Sequence, residues 1–284
     1  MDLAFASNAF KRTSLDDAID AVSRAGYRGV ELMADLHHAH PDVMSPARTA
    51  QLRRRLADAG LFVSNVNAFT GFSCGTPQRP GDTYHPTWLE EDRAYRQRRI
   101  DHTRRCIELA AEMGCGTISL QPGGPLIGTR LSRRDAEAIF AEGIAACVET
   151  ARACGVVLAV EPEPGLLLQT SHEYLTWKRH YFGDDRCVRM NADLGHLFCV
   201  GEDPAEVLRR CRDDIAHVHV EDIGANRVHQ HLTPGRGAMD FVAILTALKE
   251  TGFTGRVTVE LYPYEAEAAE VARRAMAHLR SLGW

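Results

Sequence analysis

Short apolar segments alternate with longer segments of helical periodicity along the 284-residue chain. After a strand-like segment at residues 3–7, apolar side chains recur at helical spacing from Leu15 to Val22. Five helical segments close on a glycine and are followed within a few residues by a strand-like segment, at Gly26, Gly60, Gly114, Gly155 and Gly252. Glycine adopts the left-handed conformation at a helix C-terminus without steric cost. This repeat predicts an α/β protein, namely a (β/α)8 TIM barrel that forms a single domain over residues 1–284.

Eight strands and about eight helices are predicted from this pattern. The predicted strands are residues 3–7, 29–33, 61–66, 117–121, 156–160, 187–192, 215–218 and 256–261. The predicted helices include residues 15–25, 46–59, 133–153, 204–211, 239–250 and 264–282, and one more begins near Glu91. A doubly wound sheet would show the same alternation. Its usual glycine-rich phosphate turn is missing, because neither GxGxxG nor GxxxxGK[ST] occurs in the sequence.

One segment departs from the repeat, between the third strand and the helix near Glu91. Residues 69–89 are rich in glycine, proline, threonine and aromatic residues, and a loop of this length in a compact domain is usually functional or disordered. The loop follows the carboxyl end of a strand, where the active sites of barrels lie. We interpret it as a long lid after the third strand, with Phe69, Phe72 and Trp88 facing a substrate. A packed surface loop is the alternative.

Charge and cysteine usage narrow the choice of partner and compartment. The formal net charge of −5 gives no support for a nucleic acid partner. The eight cysteines show no CxxC spacing, which fits reduced thiols better than a disulfide framework. The first apolar residues precede Lys11 and Arg12, the wrong order for a signal peptide, and no apolar segment is long enough to span a bilayer. We therefore expect a cytoplasmic protein with a small-molecule substrate and no membrane partner. Homo-oligomer formation stays open.

Four of the predicted strands end on a side chain that can bind a metal ion. These side chains are Glu161, Asp193, His219 and Glu260, set apart by roughly one βαβ repeat each. An unpaired buried carboxylate is unfavourable, so four such endings suggest strands of one sheet that direct their ends to a common point. Strand alternation agrees, because neighbouring positions such as Val218 and Val259 are apolar and would face the helices.

These four side chains form an oxygen-rich donor set of two glutamates, one aspartate and one histidine. Such a set suits one divalent metal ion, with Mn²⁺ expected first, Mg²⁺ next, and Co²⁺ or Zn²⁺ as alternatives. The competing interpretation is that the four residues are unrelated and form separate ion pairs.

Five short motifs follow one another along the chain. They are Val160-Glu161-Pro162, Asn191-Ala192-Asp193-Leu194-Gly195-His196, His217-Val218-His219-Val220-Glu221-Asp222, Pro234-Gly235-Arg236-Gly237 and Val259-Glu260. In this combination the chain resembles the xylose-isomerase-like barrel superfamily, within the branch of sugar isomerases and epimerases typified by D-tagatose 3-epimerase. The resemblance implies that Glu161, Asp193, His219 and Glu260 hold one divalent metal ion, and that Glu161 and Glu260 are the catalytic acid/base pair. It also matches His196 to a histidine that contacts the substrate.

Other polar residues near strand ends are interpreted as substrate contacts. Asn67 follows the third predicted strand, and Gln121 is the last residue of the fourth. The epimerases of the family carry an arginine shortly after the metal-binding histidine, and the candidate here, Arg227, comes slightly later. His229 and His231 resemble part of a zinc motif of endonuclease IV, but the further histidine ligands and the basic surface of that enzyme are missing. We interpret both as substrate contacts, with plain loop histidines as the alternative.

This residue set predicts proton transfer beside a carbonyl group. In chemistry of this kind, a metal ion binds the carbonyl and a neighbouring hydroxyl, one glutamate removes a proton and the other returns it. We expect an isomerase or epimerase of a ketose, a sugar acid or a keto-cyclitol that acts through a metal-bound enediolate. The alternatives are a dehydratase or lyase resembling inosose dehydratase, a metal-dependent endonuclease or phosphodiesterase, and a non-catalytic barrel.

Overall fold

The strands form a closed parallel barrel. The computed structural model describes residues 2–36, 38–68 and 85–284. The strands in these ranges are β1 (Leu3–Ala6), β2 (Gly29–Met33), β3 (Phe62–Asn67), β4 (Thr117–Leu120), β5 (Val157–Val160), β6 (Val188–Asp193), β7 (Ile215–Val220) and β8 (Arg256–Val259). Each strand pairs with the next one along the chain, and β8 pairs with β1. The predicted (β/α)8 barrel is therefore confirmed.

Helices connect the strands and cover the outside of the barrel. They are α1 (Leu15–Arg24), α2 (Pro46–Ala59), α3 (Arg93–Glu112), α4 (Arg133–Cys154), α5 (Ser171–Phe182), α6 (Leu194–Cys199), α7 (Pro204–Arg210), α8 (Phe241–Glu250) and α9 (Ala268–Ser281). The sequence pattern did not predict α5 or α6. Helix α6 spans only six residues and follows β6 without a loop, and so it offers too short a periodic pattern to detect. In the described part of the chain, no helix has the length and apolar character needed to cross a membrane.

Most of the predicted lid lies outside the described residues. Residues 69–84, which include Phe69 and Phe72, belong to this part, so the lid interpretation stays a prediction. Of the eight cysteines in the sequence, the seven in the described ranges are free thiols and five of them are buried, in agreement with the cysteine spacing.

Trp88 packs in the layer of helices. Its indole is buried, and its ring centroid lies 5.7 Å from that of Phe140 on α4. The guanidinium carbon of Arg99 on α3 lies 5.3 Å from the indole centroid. Gly143 on α4 makes room for the ring, because a Cβ atom there would lie 2.7 Å from it. The Trp88 indole therefore packs between α3 and α4.

Polar side chains occupy part of the barrel interior. The hydroxyl groups of Ser64 and Thr258 lie 2.9 Å apart, and the Asn65 amide donates a hydrogen bond to the Ser119 hydroxyl at 2.8 Å. All four residues are buried. Buried polar groups are tolerated where they bond one another, so this interior can also carry charged groups nearer the carboxyl ends of the strands.

Two shifts in strand register align interior side chains. Between β2 and β3 the register shifts so that Glu31 lies opposite Asn65. Between β6 and β7 another shift places Asp193 opposite His219. Such bulges re-aim side chains and are common next to active sites. The shifted pairing puts polar residues at facing positions near the carboxyl end of the barrel.

One buried carboxylate closes the loop that follows β7. Asp222 accepts hydrogen bonds at 2.7–3.1 Å from four backbone N–H groups, those of Ile223, Gly235, Gly237 and Met239. Its backbone also pairs with that of Leu232 in an antiparallel bridge. Gly237 must be a glycine, because a Cβ atom there would lie 2.3 Å from the Ile223 carbonyl oxygen. Asp222 therefore fixes both ends of the loop that carries Arg227, His229 and His231.

Replacing Asp222 by alanine should lower the free energy of unfolding by about 3 kcal/mol or more. Hydrogen bonds to a charged group contribute about 1.5–3 kcal/mol each, and buried N–H groups would lose their acceptor. Equilibrium unfolding in urea measures the loss. Asp203 is a matched control, because it also accepts from two backbone N–H groups but at the exposed start of α7. Asp203→Ala should lose only about 1 kcal/mol, and equal losses in the two variants would contradict the role given to Asp222.

Candidate metal centre

Four side chains come together at the carboxyl end of the barrel. Glu161 directly follows β5, Asp193 ends β6, His219 lies in β7 and Glu260 directly follows β8. The ligand atoms of these four residues all lie within 4.8 Å of one another, and all four residues are buried. The structure thus brings the predicted strand-end residues to one point. Their role as metal ligands stays a prediction.

The imidazole of His219 lies between carboxylates on two sides. Its Nδ1 atom lies 3.2 Å from Oε1 of Glu161, 3.7 Å from Oδ2 of Asp193 and 3.9 Å from Oε2 of Glu260. Its Nε2 atom lies 2.8 Å from Oε2 of Glu31, on β2. The Nδ1 atom therefore faces the other three residues of the group, and the Nε2 atom faces Glu31 inside the barrel.

The crowded carboxylates differ in acidity. Burial raises the pKa of both Glu161 and Glu260, and the negative charge of Asp193 adds to this effect. Burial acts in the same direction on Asp193, but the neighbouring imidazoles outweigh it and lower the pKa of Asp193. Burial opposes the charged form of His219, yet Glu31, Glu161 and Glu260 raise the pKa of this imidazole well above its usual value. A bound cation would supply positive charge at this point and favour the ionised form of every carboxylate.

Asparagine side chains hold one oxygen of each glutamate. Asn191 donates to Oε2 of Glu161 at 2.7 Å, and Asn8 donates to Oε1 of Glu260 at 2.8 Å. The other oxygens, Oε1 of Glu161 and Oε2 of Glu260, are those that approach His219. Each glutamate is thus oriented with one oxygen toward the centre of the group. No pattern in the sequence marks Asn8, because it lies in a short 3₁₀ turn after β1 rather than at a strand end.

Three histidines form a second group beside the first one. His196, His229 and His231 have ring nitrogens that all lie within 4.8 Å of one another. Nδ1 of His196 lies 3.2 Å from the Pro162 carbonyl oxygen, and Nδ1 of His231 lies 3.0 Å from that of Glu260. A carbonyl oxygen only accepts hydrogen bonds, so these two rings carry a proton on Nδ1 and an electron pair on Nε2. Nε2 of His231 lies 3.3 Å from Nε2 of His229, so these two rings also contact each other.

The same three histidines are electrically neutral at neutral pH. Burial lowers the pKa of His229, and it lowers the pKa of His196 to about 3 and that of His231 to about 4. Neutral imidazoles can bind a metal ion, and they can also accept hydrogen bonds from the hydroxyl groups of a ligand. The structure therefore brings together the three histidines that were predicted as substrate contacts.

Glu221 is a further buried carboxyl group next to this site. Its ligand atom lies within 4.8 Å of those of Asp193 and His231. In the part of the chain that the structure describes, no N–H group donates to either oxygen of Glu221 or to Oδ2 of Asp193. When protonated, the Glu221 carboxyl group can donate to Asp193. Burial and the charge of Asp193 raise the pKa of Glu221 well above its usual value. Gly195 makes room for this side chain, because a Cβ atom at position 195 would lie 1.7 Å from Oε1 of Glu221.

The donor set fits a divalent cation. Three carboxylates and one imidazole converge, and oxygen-rich sets of this kind suit hard divalent ions. The buried Oδ2 atom of Asp193, to which no N–H group donates within the described ranges, is an acceptor that a cation would satisfy. Glu161, Asp193, His219 and Glu260 could therefore hold the expected metal ion.

Gln121 and Asn67 also lie at strand ends. The Gln121 amide is buried after β4, and its nitrogen and oxygen have no hydrogen-bond partner among the described residues. Asn67, the last residue of β3, approaches two of the carboxylates, at 3.3 Å from Oε1 of Glu31 and 3.5 Å from Oε1 of Glu260. With no partner among the described residues, the Gln121 amide could bond a ligand. Asn67 borders the group formed by Glu161, Asp193, His219 and Glu260.

Arg227 and Trp88 make their contacts elsewhere. The Arg227 guanidinium lies 4.5 Å from the ring centroid of Phe198 and donates to the carbonyl oxygen of the same residue at 3.1 Å. These contacts attach the arginine to α6. Trp88 packs between α3 and α4, as described above. The structure therefore does not bring these two predicted substrate contacts into the group at the barrel mouth.

Glu31 is a buried group of the site that strand-end reasoning missed. Its carboxylate lies 2.8 Å from Nε2 of His219 and 3.2 Å from Nε2 of His217. Burial opposes its ionisation, but the two imidazoles outweigh burial and lower the pKa of Glu31. A signal was present in the sequence, because Glu31 interrupts the apolar segment Gly29-Val30-Glu31-Leu32-Met33. It lies within a strand rather than at its end, so a criterion based on charged strand ends does not identify it.

Sequence comparison assigns the chain to a known family. Residues 19–282 match the xylose isomerase-like TIM barrel family, so the chain belongs to this family. This confirms the resemblance drawn from the five motifs.

Two relatives by sequence are enzymes that act on sugars or cyclitols, by their names. The L-ribulose-5-phosphate 3-epimerase UlaE of Salmonella typhi is 28% identical over 185 residues, covering 64% of this chain and 63% of that protein. An inosose dehydratase of Lacticaseibacillus casei is 30% identical over 158 residues, covering 49% of this chain and 52% of that protein. The chain thus spans less than two thirds of the length of these relatives.

Solved structures share the barrel over nearly the whole chain. A D-tagatose 3-epimerase-like protein matches with a TM-score of 0.78 and 19% identity, covering 99% of both chains. The IolI protein with a bound zinc atom matches with a TM-score of 0.77 and 19% identity, covering 100% of this chain and 99% of that one. At this level of identity the likeness establishes the common fold alone.

The close approach of Gly195 and Glu221 predicts a strongly coupled pair. Gly195→Ala should lower the free energy of unfolding by about 1–3 kcal/mol, the usual effect of overpacking a buried site. Gly116→Ala is the control, because a Cβ atom at position 116 meets nothing within 4 Å.

A double-mutant cycle separates this clash from other effects of the extra methyl group. In a Glu221→Ala background the carboxyl group is gone, so Gly195→Ala should cost much less than in the parent. Urea unfolding of the four proteins measures the coupling. Additive losses would show that the contact between positions 195 and 221 does not limit the packing.

Proposed function

We propose that this member of the xylose isomerase-like TIM barrel family is a divalent-metal-dependent isomerase or epimerase of a ketose, a sugar acid or a keto-cyclitol. One observation carries the proposal. Ligand atoms of Glu161, Asp193, His219 and Glu260 converge within 4.8 Å at the carboxyl end of the barrel, where barrel enzymes have their active sites. Two of the four are glutamates, the residue type that can exchange a proton with a substrate. Burial raises their pKa values while no cation is bound, and a bound cation would favour the ionised form that a base requires.

Glu161 and Glu260 would move the proton beside the substrate carbonyl. When bound, a divalent cation polarises the carbonyl group and stabilises the negative charge that develops on its oxygen. One glutamate removes the proton on the neighbouring carbon, and the other returns a proton to the enediolate, on the opposite face for an epimerase or at the adjacent carbon for an isomerase. Asn191 and Asn8 each hold one oxygen of these glutamates and leave the other oxygen for this work.

Asp193 would act as a charged ligand rather than as a base. Its pKa is lowered by the surrounding imidazoles, whereas the pKa values of Glu161 and Glu260 are raised. Carboxylates whose environments separate their acidities in this way take different roles. The division leaves one group ionised throughout and two groups able to exchange a proton.

The neutral histidines and amides at the barrel mouth suit a polyhydroxylated substrate. His196, His229 and His231 would accept hydrogen bonds from hydroxyl groups, and the Gln121 amide can both donate and accept. Asn67 borders the same space, at 3.5 Å from Oε1 of Glu260. We propose these five residues as the substrate contacts.

A dehydratase of a keto-cyclitol or sugar is the second candidate. The inosose dehydratase that is 30% identical over 158 residues favours it. The first half of such a reaction is the same proton removal beside a carbonyl group. The hydroxyl group on the next carbon then takes up a proton from an acid such as the second glutamate and leaves as water, and a carbon–carbon double bond forms. Manganese as the metal, cytoplasmic location, homo-oligomer formation and the single-domain organisation stay predictions.

The purified protein should bind one divalent ion per chain, and Asp193→Asn should weaken the binding. Asparagine still caps α6, where Asp193 accepts from the His196 N–H, but it removes the ligand charge. The affinity for Mn²⁺ should fall by more than the about 10–100-fold that is usual for changes around a metal ligand. Elemental analysis of the purified protein measures the number of ions per chain. Equilibrium dialysis with Mn²⁺, after the bound metal has been removed by a chelator, measures the affinity.

The control for this experiment is Asp240→Asn, which changes the cap of α8 outside the ligand group. It should bind Mn²⁺ like the parent. A parent-like affinity in the Asp193 variant would remove this residue from the ligand set. A ratio near two ions per chain would contradict the single-ion prediction and direct attention to His196, His229 and His231.

Glu161→Gln and Glu260→Gln should each lower kcat by about 10²–10⁴-fold, the usual contribution of general acid–base catalysis. Because both glutamates are also proposed ligands, the sharper measurement is hydrogen exchange. A panel of ketoses and keto-cyclitols is incubated with the Mn²⁺-loaded protein in D₂O and followed by NMR. The parent should place deuterium on the carbon beside the carbonyl, and variants that retain Mn²⁺ should not.

Glu163→Gln is the matched control, since Glu163 is a buried carboxyl group two residues past Glu161 and outside the four-ligand group. It should exchange hydrogen like the parent. Turnover with a hydride shift, and without exchange or internal proton transfer at that carbon, would contradict the enediolate mechanism. Loss of water from the labelled substrate would favour the dehydratase.

A further inference from the structure

We infer that Glu31 is a positioning residue of the metal centre: it holds the His219 imidazole by Nε2 and keeps the electron pair of Nδ1 directed at the ion. This inference rests on the proposed metal centre and extends it inward by one layer. Glu31 itself contributes no oxygen to the four-ligand group at the barrel mouth.

The two nitrogens of His219 have different neighbours. Oε2 of Glu31 lies 2.8 Å from Nε2, whereas Oε1 of Glu161 and Oδ2 of Asp193 lie 3.2 Å and 3.7 Å from Nδ1. Both ring nitrogens face a carboxylate oxygen, so both can carry a proton while no cation is bound. A cation among the four ligands would take the place of the proton on Nδ1, and the shorter contact with Glu31 would keep the proton on Nε2. A neutral imidazole has a single N–H group, and fixing it on Nε2 leaves Nδ1 as the ligand atom.

Glu31 is itself held from several directions. Its Oε2 atom also lies 3.2 Å from Nε2 of His217, and its Oε1 atom accepts from the Asn67 amide at 3.3 Å. The carboxylate is 1% exposed. A side chain with both oxygens engaged and no access to solvent has little freedom to move. It therefore gives the ring of His219 a fixed orientation, as a precise metal site requires.

The contact between Glu31 and His219 spans the barrel interior. Glu31 lies on β2 and His219 on β7, and β1 and β8 lie between these strands around the barrel. Both residues are on strands whose pairing includes a register shift, opposite Asn65 and Asp193 respectively. Placing a carboxylate in this interior is unfavourable unless donors surround it. Its placement behind an imidazole is the arrangement by which carboxylates orient metal-binding histidines and raise their basicity.

His217 supplies a matched comparison inside the same interior. It contacts the same oxygen of Glu31, but it lies outside the group of Glu161, Asp193, His219 and Glu260. Replacing His217 removes one donor from Glu31 and leaves the contact between Glu31 and His219 in place. If Glu31 acts through His219, the two replacements differ in their effect on the metal although both disturb the same buried network.

The test compares Mn²⁺ affinity of the full chain and its Glu31→Gln and His217→Gln variants. Free Mn²⁺ is measured by electron paramagnetic resonance during titration of the metal-free proteins. Glu31→Gln should weaken binding by about 10–100-fold, the usual effect of removing the partner of a metal-binding histidine. His217→Gln should weaken binding by much less than about 10-fold. Circular dichroism and urea unfolding establish that each variant is folded.

A second measurement does not depend on the variants. In the Zn²⁺-loaded full chain, ¹⁵N–¹H spectra of histidine side chains report which ring nitrogen of His219 carries a proton. A proton on Nε2 and a metal-shifted Nδ1 support the inference, and the reverse assignment overturns it. This measurement decides the question if Glu31→Gln fails to fold.

The outcomes also separate this inference from the proposed function. If the full chain binds neither Mn²⁺ nor Zn²⁺, the metal centre fails and the role of Glu31 fails with it. If the full chain binds metal and folded Glu31→Gln binds it equally well, only the inference about Glu31 is wrong. Epimerase activity plays no part in either measurement.

Discussion

Buried negative charge is the constraint on which the carboxyl end of this barrel depends. Five carboxyl groups share one interior: Glu31, Glu161, Asp193, Glu221 and Glu260. Ionised groups cannot be buried together without compensating donors or cations. The surrounding imidazoles and asparagine amides supply part of that compensation, which explains why polar residues from β2, β3, β6 and β7 all lead to the same space. The remaining deficit is what a divalent cation would fill.

The site is chemically divided. On one side, Glu161, Asp193 and Glu260 surround Nδ1 of His219 and form a hard, anionic surface. On the other side, the buried imidazoles of His196 and His231 and the half-buried imidazole of His229, all with lowered pKa values, form a neutral surface rich in acceptors. A substrate that offers a carbonyl group to the first side and hydroxyl groups to the second would satisfy both. This division is more informative about ligand class than either group alone.

The sequence predicted correctly those features that a local pattern of residues marks. Helix-ending glycines and apolar alternation predicted the barrel, and charged residues at strand ends predicted the four side chains that converge. Glu31 and Asn8 were missed because the first lies within a strand and the second in a short turn, and their neighbours in space come from distant strands. The register shifts that bring Glu31 opposite Asn65 and His219 opposite Asp193 have no local sequence pattern, because they arise from the pairing of two strands. Trp88 looked like a substrate contact because it lies in a long loop, whereas Gly143 had made room for it among the helices.

The arrangement around Asp222 bears on how such a barrel can diversify. Its carboxylate binds backbone N–H groups from both ends of the loop, and its backbone pairs with Leu232, so the frame of the loop is independent of the side chains between them. The exposed residues 225–228 can therefore be exchanged without rebuilding the strands, whereas the buried His231 bonds the backbone of Glu260. Substitutions confined to this loop could change which substrate the barrel accepts during evolution. A combinatorial library of the same positions would sample new specificities while the four strand-end residues stay unchanged.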